Sequence, residues 1–167
     1  MKKLSVLTLL LLSSTPLMAQ TFHLSPEIKM GPYITSGLSG GGLQIGVRDQ
    51  LGLDALYVSY SHTSATILTD KDRLKTYRVG GQYMMPHLPF LGVQFEIGGV
   101  EYWGSRAIPG RPDKTATGVS IAASWVAKLN DHWALRAGMD VNYLDRANTY
   151  LGYHTSATFS TGVVLSF

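Results

Sequence analysis

Gly118-Val119-Ser120-Ile121-Ala122-Ala123-Ser124-Trp125-Val126-Ala127-Lys128-Leu129 runs through Asn130-Asp131-His132 into Trp133-Ala134-Leu135-Arg136-Ala137-Gly138-Met139-Asp140-Val141-Asn142-Tyr143. Its period is two. Val119, Ile121, Ala123, Trp125, Ala127 and Leu129 fall on one side, and Gly118, Ser120, Ala122, Ser124, Val126 and Lys128 on the other. After the turn, Trp133, Leu135, Ala137, Met139, Val141 and Tyr143 continue the first side, while Ala134, Arg136, Gly138, Asp140 and Asn142 continue the second. Successive side chains of a strand point to opposite faces, so this is a two-faced antiparallel hairpin. Its two faces differ in size as well as polarity. One is large and apolar; the other is small, with isolated charges.

The same pattern extends in both directions. Ala157, Phe159, Thr161, Val163, Leu165 and Phe167 alternate with Thr158, Ser160, Gly162, Val164 and Ser166. Upstream, Leu43, Ile45 and Val47 oppose Gln44, Gly46 and Arg48, and Leu56, Val58 and Tyr60 oppose Tyr57 and Ser59. Tyr77, Val79, Gly81, Tyr83 and Met85 oppose Arg78, Gly80 and Gln82. Val93, Phe95 and Ile97 oppose Gln94 and Glu96, with Gly98-Gly99 marking a bulge. In the first segment Ile28, Met30 and Ile34 oppose Glu27, Lys29, Gly31 and Tyr33. Proline cannot donate to a ladder, so Pro26 and Pro32 belong at that strand's ends or at a bulge.

Eight strands result, near 26–35, 41–49, 53–63, 74–85, 90–103, 115–129, 132–145 and 154–167. The second, fourth and sixth connections are short turns at Asp49-Gln50-Leu51-Gly52, Pro86-His87-Leu88-Pro89 and Asn130-Asp131. The third, fifth and seventh are longer: Ala65 to Arg73, Gly104 to Lys114 and Arg146 to Tyr153. The first, Ser36 to Gly40, is intermediate. Short turns at one end and longer loops at the other describe an all-β, eight-stranded antiparallel up-and-down transmembrane β-barrel. An even strand number puts both termini at the turn end, which is the periplasmic side in a bacterial outer membrane.

The composition of the faces decides which solvent surrounds the wall. A soluble barrel, such as a periplasmic ligand carrier, puts its apolar face inward; a membrane barrel reverses the order. Trp125, Trp133, Leu135, Met139, Phe95 and Tyr83 are too bulky to share an eight-strand lumen, whereas Gly, Ser, Ala and Gln fill one well. The charges on the small-residue face nearly cancel: Lys29, Arg48, Arg78 and Arg136 against Glu27, Glu96 and Asp140. Buried charges must be paired, so these residues are expected to form an ion-pair network that fills the lumen. Aromatic girdles are expected at Phe22, Phe90, Trp133 and Phe167 on the turn end, and at Tyr60, Tyr102, Trp103, Tyr143, Tyr150 and Tyr153 on the loop end.

The N-terminus has the layout of an export signal. Lys2-Lys3 precede the apolar run Leu4 to Leu12, and Ser13 to Ala19 lead to the expected cut before Gln20. A spanning helix needs roughly 20 apolar residues, more than this run supplies. Residues 1–19 are therefore read as a cleaved signal peptide and 20–167 as the barrel domain. Two of the 14 basic residues leave with the signal, so the remainder nearly balances the 11 acids. No basic footprint for nucleic acid remains. With no cysteine, disulfides, thiolate metal sites and thiol nucleophiles are excluded. No phosphate loop, zinc motif or dinucleotide fingerprint occurs, and no metal or cofactor is expected.

Two stretches resemble a known group. Gly162-Val163-Val164-Leu165-Ser166-Phe167 is similar to the aromatic-terminated signal by which outer-membrane proteins are recognised for assembly. Val126 to Gly138 resembles the strand–turn–strand of small outer-membrane barrels, namely the outer-membrane protein A barrel domain and the outer-membrane protein X/Ail/Lom group. The resemblance implies insertion by the barrel-assembly machinery, with Val163, Leu165 and Phe167 as the signal. It also implies contact with outer-membrane lipid and lipopolysaccharide, and adhesion- or resistance-type activity in the outer loops. Of the loop residues, Arg106, Arg111 and Lys114 are the basic candidates for contact with an anionic partner. A non-enzymatic role is the expected one. The alternative rests on His62-Thr63-Ser64, which is similar to the His-x-Ser element of the outer-membrane lipid A deacylase family and would set a base beside a nucleophile. Asp70 and Asp72 lie in the expected loop, and His154-Thr155-Ser156 repeats the tripeptide on the lumen side.

Overall fold

Eight antiparallel segments in sequence leave the first and the last with one unpaired edge each until the sheet closes, and closure is what the computed structural model shows. It describes residues 22–32, 37–67, 70–108 and 110–167. The strands are β1 (Phe22–Met30), β2 (Leu38–Gln50), β3 (Leu53–Ile67), β4 (Asp70–Met85), β5 (Leu88–Ser105), β6 (Lys114–Lys128), β7 (Trp133–Leu144) and β8 (Thr155–Ser166). Each pairs antiparallel with its neighbour in sequence, and β8 returns to β1. Phe22 N–H donates to the Phe167 carbonyl at 2.9 Å, and Phe167 N–H returns the bond at 3.2 Å. The expected signal peptide, Tyr33 and Ile34 lie outside the described residues.

The large side chains of the opening hairpin face outward. Trp125 is 58% exposed, Phe95 65% and Ile97 59%, and Ile121, Leu135 and Phe159 share that surface. A soluble protein rarely shows contiguous apolar patches of more than a few hundred Å². A wall covered in them on every strand is the lipid-facing surface of a membrane barrel, and the soluble carrier alternative falls. Among the described residues no helix is long and apolar enough to cross a membrane; the strands do so.

Three local expectations are corrected. The Gly98-Gly99 pair is not a bulge: β5 keeps one register with both β4 and β6 through it. A Cβ on Gly98 would lie 2.0 Å from the Tyr77 carbonyl oxygen, so the glycine serves close strand approach. β1 begins four residues earlier than expected, and Pro26 lies inside it, not at an end or a bulge. It pairs with Leu43 on the β2 side, while the β1–β8 ladder passes from Leu24↔Leu165 to Glu27↔Gly162 without a shift. The absent N–H falls in that gap. Finally, Ala65 to Arg73 is not a loop. β3 and β4 stay paired to Ile67↔Asp70, so the ladder continues through this stretch.

The turns follow local chemistry. Asp49, Leu51 and Gly52 adopt φ of 54°, 56° and 78°, the left-handed geometry of a tight hairpin. In the turn before β7, the Asn130 side-chain oxygen accepts from the His132 and Trp133 backbone N–H groups, each at 2.9 Å. There the Lys128 ammonium donates to Asp131 and holds its carboxyl below the usual carboxylate range.

Candidate functional site

Two regions carry polar chemistry: the lumen and the loop-end crown. In the lumen, inward positions on four strands place six charges together. Lys29 contacts Glu27 at 3.1 Å and also pairs with Asp140. Asp140 meets Arg78 at 3.0 Å, and Arg78 meets Glu96 at 2.8 Å. Glu96 lies 3.7 Å from Arg136, which returns to Glu27 at 3.0 Å. The result is a closed ring of alternating sign in which every charge has two opposite neighbours. The side chains of Lys29, Arg78 and Arg136 have 0% exposure, so water has no open column at this level.

The ring is held by uncharged partners. Ser59 and Gln44 donate to Glu96 at 2.6 and 2.5 Å, while Ser124 accepts from Arg136 at 3.1 Å. Below it, Gln44, Gln94 and Gln82 form a hydrogen-bonded ladder, and His23 stacks on Tyr57. Apolar clusters close both sides: Val126, Ala134 and Val164 toward the turns, and Leu74, Val100, Tyr102, Leu144 and Leu151 toward the loops. Burying the ring between apolar layers strengthens its attractions and makes any unpaired member costly. Arg48 is not part of it. It is half-buried near the turn end, and among the described residues it forms no ion pair.

The crown is a folded cap. Asp72 is buried on β4, not in a loop. It accepts from the Tyr102 hydroxyl and, bidentately, from Arg106 at 3.0 and 3.2 Å. Arg106 also reaches Asp70 at 3.4 Å and lies over the Tyr150 ring at 4.2 Å. Lys114 donates to the carbonyls of Ala147 and Thr149 at 2.8 and 3.0 Å and approaches the same ring. The Tyr150 hydroxyl donates to the Pro112 carbonyl at 2.6 Å. Tyr102 and Tyr150, expected in the lipid girdle, thus serve the cap instead. Of the three expected loop contacts, Arg106 and Lys114 are engaged in tying 106–113 to 145–154, and Arg111 is exposed.

Replacing Arg106 by Ala is expected to release the 106–113 loop. Hydrogen bonds to charged groups contribute about 1.5–3 kcal/mol, so proteinase K should cut this loop in the folded barrel roughly tenfold faster or more. An unchanged cleavage rate would show that Tyr150 and Lys114 hold the loop without it.

No family model matches the chain, and no curated protein matches it in sequence. Solved structures do match in fold. The N-terminal β-barrel domain of Pseudomonas aeruginosa OprF superposes with a TM-score of 0.62 at 13% identity, covering 89% of this chain and 98% of that one. Ail, the attachment invasion locus protein of Yersinia pestis, gives 0.66 at 11% identity over 90% and 100% of the two chains. Neisserial surface protein A gives 0.54 at 16% identity over 88% and 95%. The fold is that of the small eight-stranded outer-membrane β-barrels.

Within this barrel the expected assembly residues lie on the closing strand. Val163 and Leu165 are half-buried on the outer wall, Leu165 between Leu24 and Trp133, and Phe167 is exposed at the turn end. The two residues of the deacylase-like element, His62 and Ser64, share the outward face of β3 near the loop end. Asp72, a nearby acid in sequence, points to the opposite face. Glu101 shares a groove with His62 but lies two strands away, with Lys75 between them in the register. His154 is exposed beside Tyr143, while Ser156 is buried, so the second tripeptide does not share one face.

Sequence reasoning missed Arg73, Lys75, Glu101 and Trp103 as a group. They line a groove of about 730 Å³ with His62 on the outer rim of β3–β6. The available signal was the parity of 73, 75, 101 and 103: the last three lay in expected strands, and Arg73 was hidden because 65–73 read as loop.

Proposed function

We propose that this protein is an integral barrel of the bacterial outer membrane, exported by the segment 1–19 and inserted by the barrel-assembly machinery through Val163, Leu165 and Phe167. Both termini face the periplasm, and the chain acts as a structural and surface-interaction protein of the adhesion or resistance type, not as an enzyme. The observation that carries this reading is the closed wall with a filled lumen. With lipid outside and an ion-paired plug inside, the loop-end crown is the polar surface left to meet a partner. Exposed Arg111 stands on that crown and suits an anionic surface ligand, with exposed Ile108 and Tyr153 beside it as apolar contacts. A comparable chemistry exists in the fold, since Ail of Yersinia pestis has been solved with the heparin analogue sucrose octasulfate.

The test places an epitope between Gly110 and Arg111 of the full chain. Antibody is expected to label intact cells, and the protein should fractionate with the outer membrane and migrate faster on gels unheated than boiled. Cells should also be retained on heparin beads, less so for Arg111→Glu. Labelling only after the envelope is opened would overturn the orientation, and retention unaffected by Arg111→Glu would overturn the anionic-ligand role.

A further inference from the structure

The outward charges of the strands are distributed unevenly. Over the loop-end half of the wall, Lys71, Arg73, Lys75 and Glu101 are exposed on the outside, all on β4 and β5. The neighbouring outward positions on β1, β2, β6 and β8 are Met30, Leu43, Thr115, Thr117 and Ala157. Three cations and one acid on a single flank are not a generic fringe of membrane contacts. They give one side of the barrel a positive field at the height of lipid headgroups.

The flank is also shaped. In the groove, His62, Arg73 and Lys75 lie on the β3–β4 side, while Glu101, Thr115, Thr117, Asp145 and Asn148 lie on the β5–β6 side. Arg73 stacks over the Trp103 ring at 4.9 Å, which orders its guanidinium before any ligand arrives. Directly below in the register, His62↔Lys75 gives way to Tyr60↔Tyr77 and then Val58↔Val79. Tyr60 and Tyr77 pack ring to ring at 5.3 Å. Beneath them Leu43, Ile45, Val58 and Val79 line a second, apolar groove of about 540 Å³. From His62 to Val58 is four residues, about 13 Å along a strand. One groove with a cationic side and a hydroxyl- and carboxylate-lined side thus stands above an apolar channel on the same flank.

We propose that this flank is a specific site for one phosphorylated glycolipid of the outer leaflet. Its phosphate sits on Arg73 and Lys75. Its sugar hydroxyls donate to Glu101, Asp145 and Asn148, and one acyl chain lies in the groove under Tyr60 and Tyr77. A glycolipid fits better than a simple phospholipid because the carboxylates and hydroxyls beyond Trp103 can pair with the several hydroxyls of a saccharide, which a diacylglycerol phosphate lacks. The site rests on the outer-membrane reading above and names a lipid partner and its residues.

The test uses the delipidated mature protein in detergent, titrated with monophosphorylated hexa-acyl lipid A and followed by native mass spectrometry. One lipid is expected to bind per chain. Arg73→Gln/Lys75→Gln should weaken binding at least tenfold, Lys128→Gln at the opposite end should not, and phosphatidylglycerol should bind the parent at least tenfold more weakly. All variants are first checked for heat-modifiable migration, which reports an intact barrel. Equal affinity in the double variant, or equal binding of phosphatidylglycerol, would overturn the site while leaving the barrel reading in place. A parent protein that does not fractionate with the outer membrane would overturn both.

Discussion

Replacing Arg136 by Met is expected to destabilise the folded barrel by about 3–5 kcal/mol, the usual cost of leaving a buried charge uncompensated. Arg136 joins Glu27 to Glu96, and its side chain has 0% exposure. Met fills comparable volume, so the loss reports charge rather than a cavity. Without Arg136 the ring opens to three acids and two bases, and both Glu27 and Glu96 lose a partner. Adding Glu27→Gln restores neutrality. The remaining four charges then alternate as Lys29, Asp140, Arg78 and Glu96, each beside an opposite sign. The double variant should therefore be more stable than the sum of the single losses by about 1–3 kcal/mol. Urea titration of the folded fraction, read by heat-modifiable migration, measures both. Strict additivity would show that the six charges do not act as a ring.

The balance of the ring was visible in the residues, but its connectivity was not. Parity alone puts Glu27, Lys29, Arg48, Arg78, Glu96, Arg136 and Asp140 on the inner face. Which of them meet depends on the height each reaches, and height is set by strand tilt and stagger, which accumulate around a closed sheet. Arg48 has the right face and the wrong level. Tyr102 shows the same blindness in another form. Its parity is inward, yet an aromatic near the membrane edge reads as girdle, and only the buried Asp72 and Tyr150 beside it explain why it turns in.

The ends of strands were the least legible part for a physical reason. Above the lipid, a strand no longer needs an apolar outer face, so alternation in hydropathy stops before the ladder does. Lys71, Asp72 and Arg73 have the composition of a loop while pairing with Thr66, Ala65 and Ser64. Arg73, which completes the outward pocket with Lys75, Glu101 and Trp103, was lost with them. By contrast, residues 118–143 lie where one face meets lipid and the other meets the ring, and there the size and polarity of every residue agree with its direction. Pro26 is instructive in the opposite sense. A rule about missing donors moved it to a strand end, but a single unneeded donor on the β8 side lets it remain inside.

The outward assignment itself has the sharpest test. Ile121 lies midway along β6, opposite Ile97 on β5 and Val141 on β7, and is exposed on the wall. Arginine there is expected to cost about 2–4 kcal/mol in lipid, because a cation at the midplane must be hydrated or dragged toward the surface. Thr117, four residues nearer the loops on the same face, is exposed beside Glu101. Arginine at Thr117 should cost about 0–1 kcal/mol, since it reaches the headgroups. The difference between the two positions is the informative quantity. In a barrel whose outer face meets water, both sites are merely exposed and both substitutions stay within about 0.5 kcal/mol. Unfolding of the two variants from phosphatidylcholine vesicles therefore separates the cases. Equal stability of Ile121→Arg and Thr117→Arg would remove lipid from the outer wall, and with it the reason for the apolar exterior.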